Sequence, residues 1–168
     1  VCEGQQWDVD FETRDDVSIA DYLKMIEYKT AVLVAAAMKM GAIIAATSEE
    51  NANLIYDFGL NLGLAFQLQD DYLDAFGNPE TFGKQVGGDI IENKKTYLYL
   101  KAHEFASVKQ AEKLAHLFSI HPEDNSEKIH SVKEIFLATG AAFETKKAIQ
   151  EFTLKAFETL QKISIDNE

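Results

Sequence analysis

This chain has almost no cysteine, almost no proline and no surplus of basic charge, and each shortage removes a class of protein. Its one cysteine, Cys2, allows no internal disulfide, so no covalent staple is expected and a reducing, cytoplasmic setting fits. The two prolines, Pro79 and Pro122, leave long stretches free to run as unbroken helix. With 16 basic residues against 28 acidic ones the net charge is −12, which argues against nucleic acid and anionic membrane surfaces as partners. Anionic substrates stay open, provided metal ions bridge the two. Long apolar runs are scarce too. The stretch Thr30 to Ala46 is the one membrane suspect, but it is short, alanine-rich and interrupted by Lys39. It reads as a buried core helix, with no membrane span.

What remains is helical. At 168 residues and 46% hydrophobic, the chain is long enough for one domain with a real core. Glu3 to Phe11 reads as the end of a helix already under way. Ser18-Ile19-Ala20-Asp21 has capping-box spacing and opens a helix towards Ala46, with a break near Lys29-Thr30. Thr47-Ser48-Glu49-Glu50 opens another over Asn51 to Phe76, which Gly77-Asn78-Pro79 closes. Gly77 to Asp89 is a glycine-rich loop. Helices are predicted over Lys94 to Phe105, Val108 to Ile120 and Glu127 to Thr139, and from Gly140 to about Ile163. His121 to Ser126 is a polar surface loop. The architecture expected is all-α.

The densest chemistry lies in Phe66-Gln67-Leu68-Gln69-Asp70-Asp71-Tyr72-Leu73-Asp74. Helical periodicity gathers Gln67, Asp70, Asp71 and Asp74 into one sector. Tyr56, Leu60 and Gly63 extend that sector below the charges, and Phe58, Leu62, Ala65 and Tyr72 make the opposite face mostly apolar. A helix apolar on both sides is buried, so these carboxylates repel one another unless a cation sits between them. Hard oxygens one turn apart suit Mg²⁺, which completes its shell with water and substrate phosphates. The blander alternative is a solvated acidic turn.

Three lysines add a phosphate-binding character. Lys29 shares a helical sector with Tyr22, Met25, Leu33, Ala36 and Met40, an apolar stripe on which a lysine needs a partner. Lys84 lies in the glycine-rich loop beside Gly83, where backbone can approach a ligand closely. Lys94 follows Asp89 by five residues, at the predicted opening of the next helix. Each lysine could also be solvated or paired with a structural acid. A shared diphosphate–Mg²⁺ site accounts for more of the pattern.

These motifs resemble those of the trans-isoprenyl diphosphate synthases, the polyprenyl synthetase family. The resemblance rests on Gly4-Gln5-x-x-Asp8, Tyr28-Lys29-Thr30, Gly63-x-x-Phe66-Gln67-x-x-Asp70-Asp71-x-x-Asp74, Gly83-Lys84 and Asp89-x-x-x-x-Lys94, in that order. It covers Gly4 to about Thr96. It implies an all-helical fold around a central cavity, usually in a homodimer, and head-to-tail condensation of isopentenyl diphosphate with an allylic diphosphate (dimethylallyl, geranyl or farnesyl). Asp70, Asp71 and Asp74 then correspond to Mg²⁺ ligands, with Asp70 foremost. Lys29, Lys84 and Lys94 correspond to contacts with the allylic diphosphate. Thr30 and Gln67 correspond to a polar pair beside the developing cation, and Gln5, Asp8 and Asp89 to outer members of the site. No histidine is required.

One departure stands out. The family carries a first aspartate-rich motif upstream of its Gly-Gln motif, and nothing here matches it: Asp8, Asp10 and Asp15-Asp16 follow Gly4-Gln5 and lack the spacing. Residues 1–168 are therefore expected to be the C-terminal part of one synthase domain, inactive alone. Two rivals share the helical cavity, a class I terpene cyclase and a non-catalytic subunit of a heteromeric synthase. Three intact aspartates favour the elongating enzyme over both. A di-iron bundle would want two Glu-x-x-His pairs, and only Glu127 to His130 has that spacing.

Overall fold

The structure, a computed structural model, describes residues 1–78 and 86–164. Gly83 and Lys84 lie outside the described residues. Among the described residues the regular elements are all helical, as expected. They are α1 (Cys2–Glu12), α2 (Ile19–Ile26), a π-helical turn (Glu27–Ala31), α3 (Val32–Ile44), α4 (Glu49–Phe76), α5 (Gly88–Ile91), α6 (Tyr97–Phe105), α7 (Val108–Leu117), α8 (Ser126–Ala138) and α9 (Ala141–Leu160). No helix among them is long and apolar enough to cross a membrane.

Helix α4 is the axis of the fold. The π-turn and α3 lie along one side of it and α9 along the other. Between Asn51 and Phe76 only Asn53, Asp57 and Phe66 are exposed, so a helix apolar on two faces is buried on both. Its start is set by Ser48, whose side chain accepts from Asn51 N at 3.2 Å. At α2 the predicted capping box forms in full: Asp21 N donates to Ser18 Oγ and Ser18 N to Asp21 Oδ2.

Glycine sets how closely these helices approach. A Cβ on Gly59 would lie 2.8 Å from Ala35 Cα, and one on Gly63 would lie 2.6 Å from Ala31 Cα. Only glycine permits that spacing, and it brings the π-turn within side-chain reach of Gln67. Gly4 does the same for α1, where a Cβ would collide with the backbone of Tyr28 and Lys29. One turn further on, Asp8 then meets Lys29.

Three expectations change. The first concerns α3: read as a buried core helix, it buries only Ala35 and leaves Leu33, Met40, Ile43 and Ile44 exposed. The break near Lys29-Thr30 is a π-turn, which adds one residue to the helix and rotates everything after it by about 100°. Tyr22 and Met25 are buried, but Leu33 and Met40 are 59% and 57% exposed, and Ala31 and Ala35 take the inward line instead. The helix predicted from Lys94 begins only at Tyr97. Asn93 sits in the left-handed region with φ 59°, which ends the preceding turn and leaves Lys94 to Thr96 outside helix. Lys94 is thus not at a helix N-terminus. Elsewhere the differences are end effects: α3, α7 and α9 stop two or three residues early, and α8 is shifted by one.

Candidate active site

A cavity of about 180 Å³ opens beside the C-terminal half of α4. Gln67, Asp70, Asp71 and Asp74 face it from α4, Lys29 from the π-turn and Asp8 from α1. Asp89, Lys94 and Lys95 close it from the segment around α5. Phe11, Met25 and Ile26 supply an apolar floor.

Four side chains form a chain of hydrogen bonds along one wall. Thr30 Oγ1 donates to Gln67 Oε1 at 2.7 Å, and Gln67 Nε2 donates to Asp71 Oδ1 at 2.8 Å. Tyr22 Oη donates to Asp71 Oδ2 at 2.6 Å. Asp71 accepts on both oxygens, so the Gln67 amide can be oriented only one way, with its carbonyl towards Thr30. Asp71 is 7% exposed. Burial, then the nearby Asp89 charge, push its carboxyl up to about 7, against the pull of its two donors. Burial likewise pushes the Tyr22 hydroxyl well above its ordinary range.

The facing wall is ionic. Asp89 N donates to Asp74 Oδ2 at 3.0 Å, and Gly87 N donates to the Asp74 carbonyl at 2.7 Å. These bonds tie α5 to the end of α4. Burial, then Asp74, raise the Asp89 carboxyl to about 6, while Lys94 opposes the shift. Lys94 Nζ lies 2.8 Å from Glu92 Oε2 and 3.4 Å from Asp89 Oδ1. Burial favours losing its proton, but Glu92 and Asp89 outweigh burial and raise its pKa. Lys29 Nζ is held at 2.6 Å by Asp8 Oδ2, the acidic partner its apolar surroundings demanded.

The sequence-derived residues therefore divide. Lys29, Gln67, Asp70, Asp71, Asp74, Asp8, Asp89 and Lys94 line one cavity, and Thr30 joins through Gln67. Gln5 is exposed and lies in an adjoining groove with Asp8, Lys94 and His121. Lys84 lies outside the described residues. Among those described, no three His, Cys, Asp or Glu side chains converge as a closed metal cage. Open coordination suits Mg²⁺, which takes one or two carboxylates and fills its shell from water and phosphate. Asp70, Asp71 and Asp74 all stand on the cavity wall, Asp71 accepting on both oxygens and Asp74 from the Asp89 amide. All four histidines are exposed, and His130 lies beside Glu134, not in a di-iron pair.

Three residues were missed. Tyr22 was read only as part of an apolar stripe, and Lys95 was not singled out although it is buried and lines the cavity over the Tyr99 ring. Lys128 lies behind the cavity wall and shares a buried stripe with Val132, Ile135 and Phe136. The spacing that drew attention to Lys29 was present there too.

Comparisons with known proteins bear on the family and the fold. The family model described as polyprenyl synthetase matches residues 1–136. A short chain isoprenyl diphosphate synthase of Methanothermobacter thermautotrophicus is 44% identical over 141 residues, covering 84% of this chain and 42% of that protein. A crystal structure of a geranylgeranyl pyrophosphate synthase superposes with a TM-score of 0.92 at 57% identity, covering 98% of this chain and 51% of its own. A polyprenyl synthase from Caulobacter crescentus CB15, crystallised with calcium and isoprenyl diphosphate, matches at a TM-score of 0.90 and 33% identity, with 98% and 50% covered. This chain spans about half the length of these relatives or less.

Proposed function

The chain belongs to the polyprenyl synthetase family, and from that membership we propose that it supplies one side of a prenyltransferase cavity. The reaction is head-to-tail condensation of isopentenyl diphosphate with an allylic diphosphate. The observation that carries this reading is one cavity holding Asp70, Asp74, Lys29 and Lys94 above an apolar floor. Asp70 and Asp74 would hold Mg²⁺, and Asp71 would join only by giving up its bonds to Tyr22 and Gln67. Bound metal would neutralise charge on the departing diphosphate.

The residues divide the remaining work. Lys29 and Lys94, with Lys84 added from its motif, bind diphosphate oxygens as point charges. To do so Lys29 and Lys94 exchange part of their pairing with Asp8, Asp89 and Glu92 for the ligand. The hydrogen-bonded Thr30–Gln67 pair presents fixed dipoles where the allylic C–O bond breaks and positive charge develops. Phe11, Met25 and Ile26 keep water from that charge until the alkene forms the new C–C bond. The released diphosphate is positioned to accept the proton that is then lost. The opposite side of the cavity, a homodimeric assembly and a cytoplasmic setting belong to the same proposal; about half of each solved relative lies outside the matched region.

The test is product analysis with a synthase of the relatives' full length carrying this sequence. It would be supplied with isopentenyl diphosphate, Mg²⁺ and dimethylallyl, geranyl or farnesyl diphosphate in turn. Linear products longer by five-carbon units are expected. Cyclised hydrocarbons, or no consumption of isopentenyl diphosphate, would overturn the reading.

A further inference from the structure

A lysine outside the cavity carries an inference that rests on the diphosphate site just described. Lys128, in the first turn of α8, is 2% exposed, and among the described residues it forms no salt bridge. Its ammonium donates instead to Asn93 Oδ1 at 2.7 Å, to the Ile120 carbonyl at 2.9 Å and to the Ile91 carbonyl at 3.4 Å. Three donors thus meet three acceptors. Burial lowers the lysine's pKa, so the ammonium depends on those contacts to stay charged.

Two of the acceptors belong to the segment that delivers Asp89 and Lys94. Asn93 is 5% exposed and left-handed at φ 59°, a conformation with a cost unless its side chain is anchored. With Oδ1 accepting from Lys128, Nδ2 is the donor to His121 Nε2 at 3.1 Å. The next residue is Lys94, whose amide donates to the Asp89 carbonyl at 2.9 Å. At the other end of the segment Gly87, with φ 92°, lies against Ile129, where a Cβ would come within 2.9 Å of Cδ1. Adjacent residues of α8 therefore hold both ends of one cavity wall.

We propose that Lys128 is a positioning residue for the diphosphate site, holding the turn at Asn93 so that Lys94 and Asp89 stand opposite Asp74. It touches no substrate and acts only through that segment.

The experiment pairs backbone amide exchange with calorimetric titration of inorganic diphosphate plus Mg²⁺, for the wild-type chain, Lys128→Met, Lys94→Met and the double variant. Lys128→Met is expected to speed exchange at residues 91–94 while the amides of α4 and α9 keep their protection. It should weaken diphosphate binding about tenfold, in the range for groups that support a ligand from behind. In the Lys94→Met background the same change should add little, because its effect passes through Lys94. Asn93→Gly, which keeps the left-handed turn but removes the acceptor, should act in the same direction and serves if Lys128→Met does not fold. Unchanged exchange at 91–94, or equal losses in both backgrounds, would overturn the proposal. A wild-type chain that binds no diphosphate would count against the proposed function, and the exchange data would still decide the role of Lys128.

Discussion

The two walls of the cavity are built by opposite means. One is continuous helix: α4 meets α3 through Gly59 against Ala35 and the π-turn through Gly63 against Ala31, and Thr30, Gln67, Asp71 and Tyr22 form a hydrogen-bonded chain. The other is eleven residues of turn and short helix, 86–96, held by a left-handed asparagine, a buried lysine and backbone bonds to Asp74. The first wall is rigid because its backbone is packed and internally bonded. The second is rigid only as far as its anchors hold. Asp70, Asp74 and Lys29 stand with the fixed dipoles on the packed side, whereas Asp89 and Lys94 reach the cavity from a segment that depends on local anchoring.

The largest effect expected concerns the shared ligand. Asp70→Ala in a full-length synthase should lower kcat by about a hundredfold or more, the scale seen when a group aimed at developing charge is removed. Steady-state kinetics with saturating substrates would show it, and unchanged turnover would remove the acidic turn from the site.

The packed wall can be broken next. Gly63→Val places a branched side chain against Ala31 and should cost about 3 kcal/mol or somewhat more, the upper range for overpacking. Urea denaturation of the 168-residue chain measures it. Wild-type stability would mean that α4 and the π-turn do not approach through glycine.

A smaller change sharpens the same wall. Tyr22→Phe leaves the buried Asp71 oxygen without its donor and should cost about 1–3 kcal/mol. Because Asp71 still accepts from Gln67, the amide keeps its orientation and diphosphate affinity should move little. Loss of affinity with full stability would contradict the division between the walls.

The smallest effect is a slope with pH. Asp89 is raised to about 6 and Asp71 to about 7, above the unfolded value for aspartate. Between about pH 4 and those values the folded state keeps protons that the unfolded chain has lost, so stability falls as pH rises through that window and levels off above it. Asp89→Asn should flatten the portion up to about pH 6. Urea midpoints across the window that rise with pH would contradict both shifts.

What could be read from the sequence follows the same division. The acidic sector of α4 stood out because charges interrupt an apolar helix, and the pairing of Lys29 followed from its apolar neighbours. Motif resemblance placed Thr30 beside Gln67. The π-turn was invisible because no residue type marks an added helical residue. It shows only in the rotation that exposes Leu33 and Met40 and buries Ala35. The inward turn of Asp71 depends on Tyr22 meeting it from another helix, 49 positions away in sequence. Lys94 was placed on a helix because periodicity carries no sign of the left-handed Asn93.

The most direct measurement is calorimetric titration of the 168-residue chain with inorganic diphosphate, with and without Mg²⁺, beside Asp70→Ala. If the two walls meet on one metal-held diphosphate, saturable binding appears only when both Mg²⁺ and Asp70 are present. Binding that survives chelation or the Asp70 substitution would contradict the assignment, and absence of binding would count against the proposed diphosphate site.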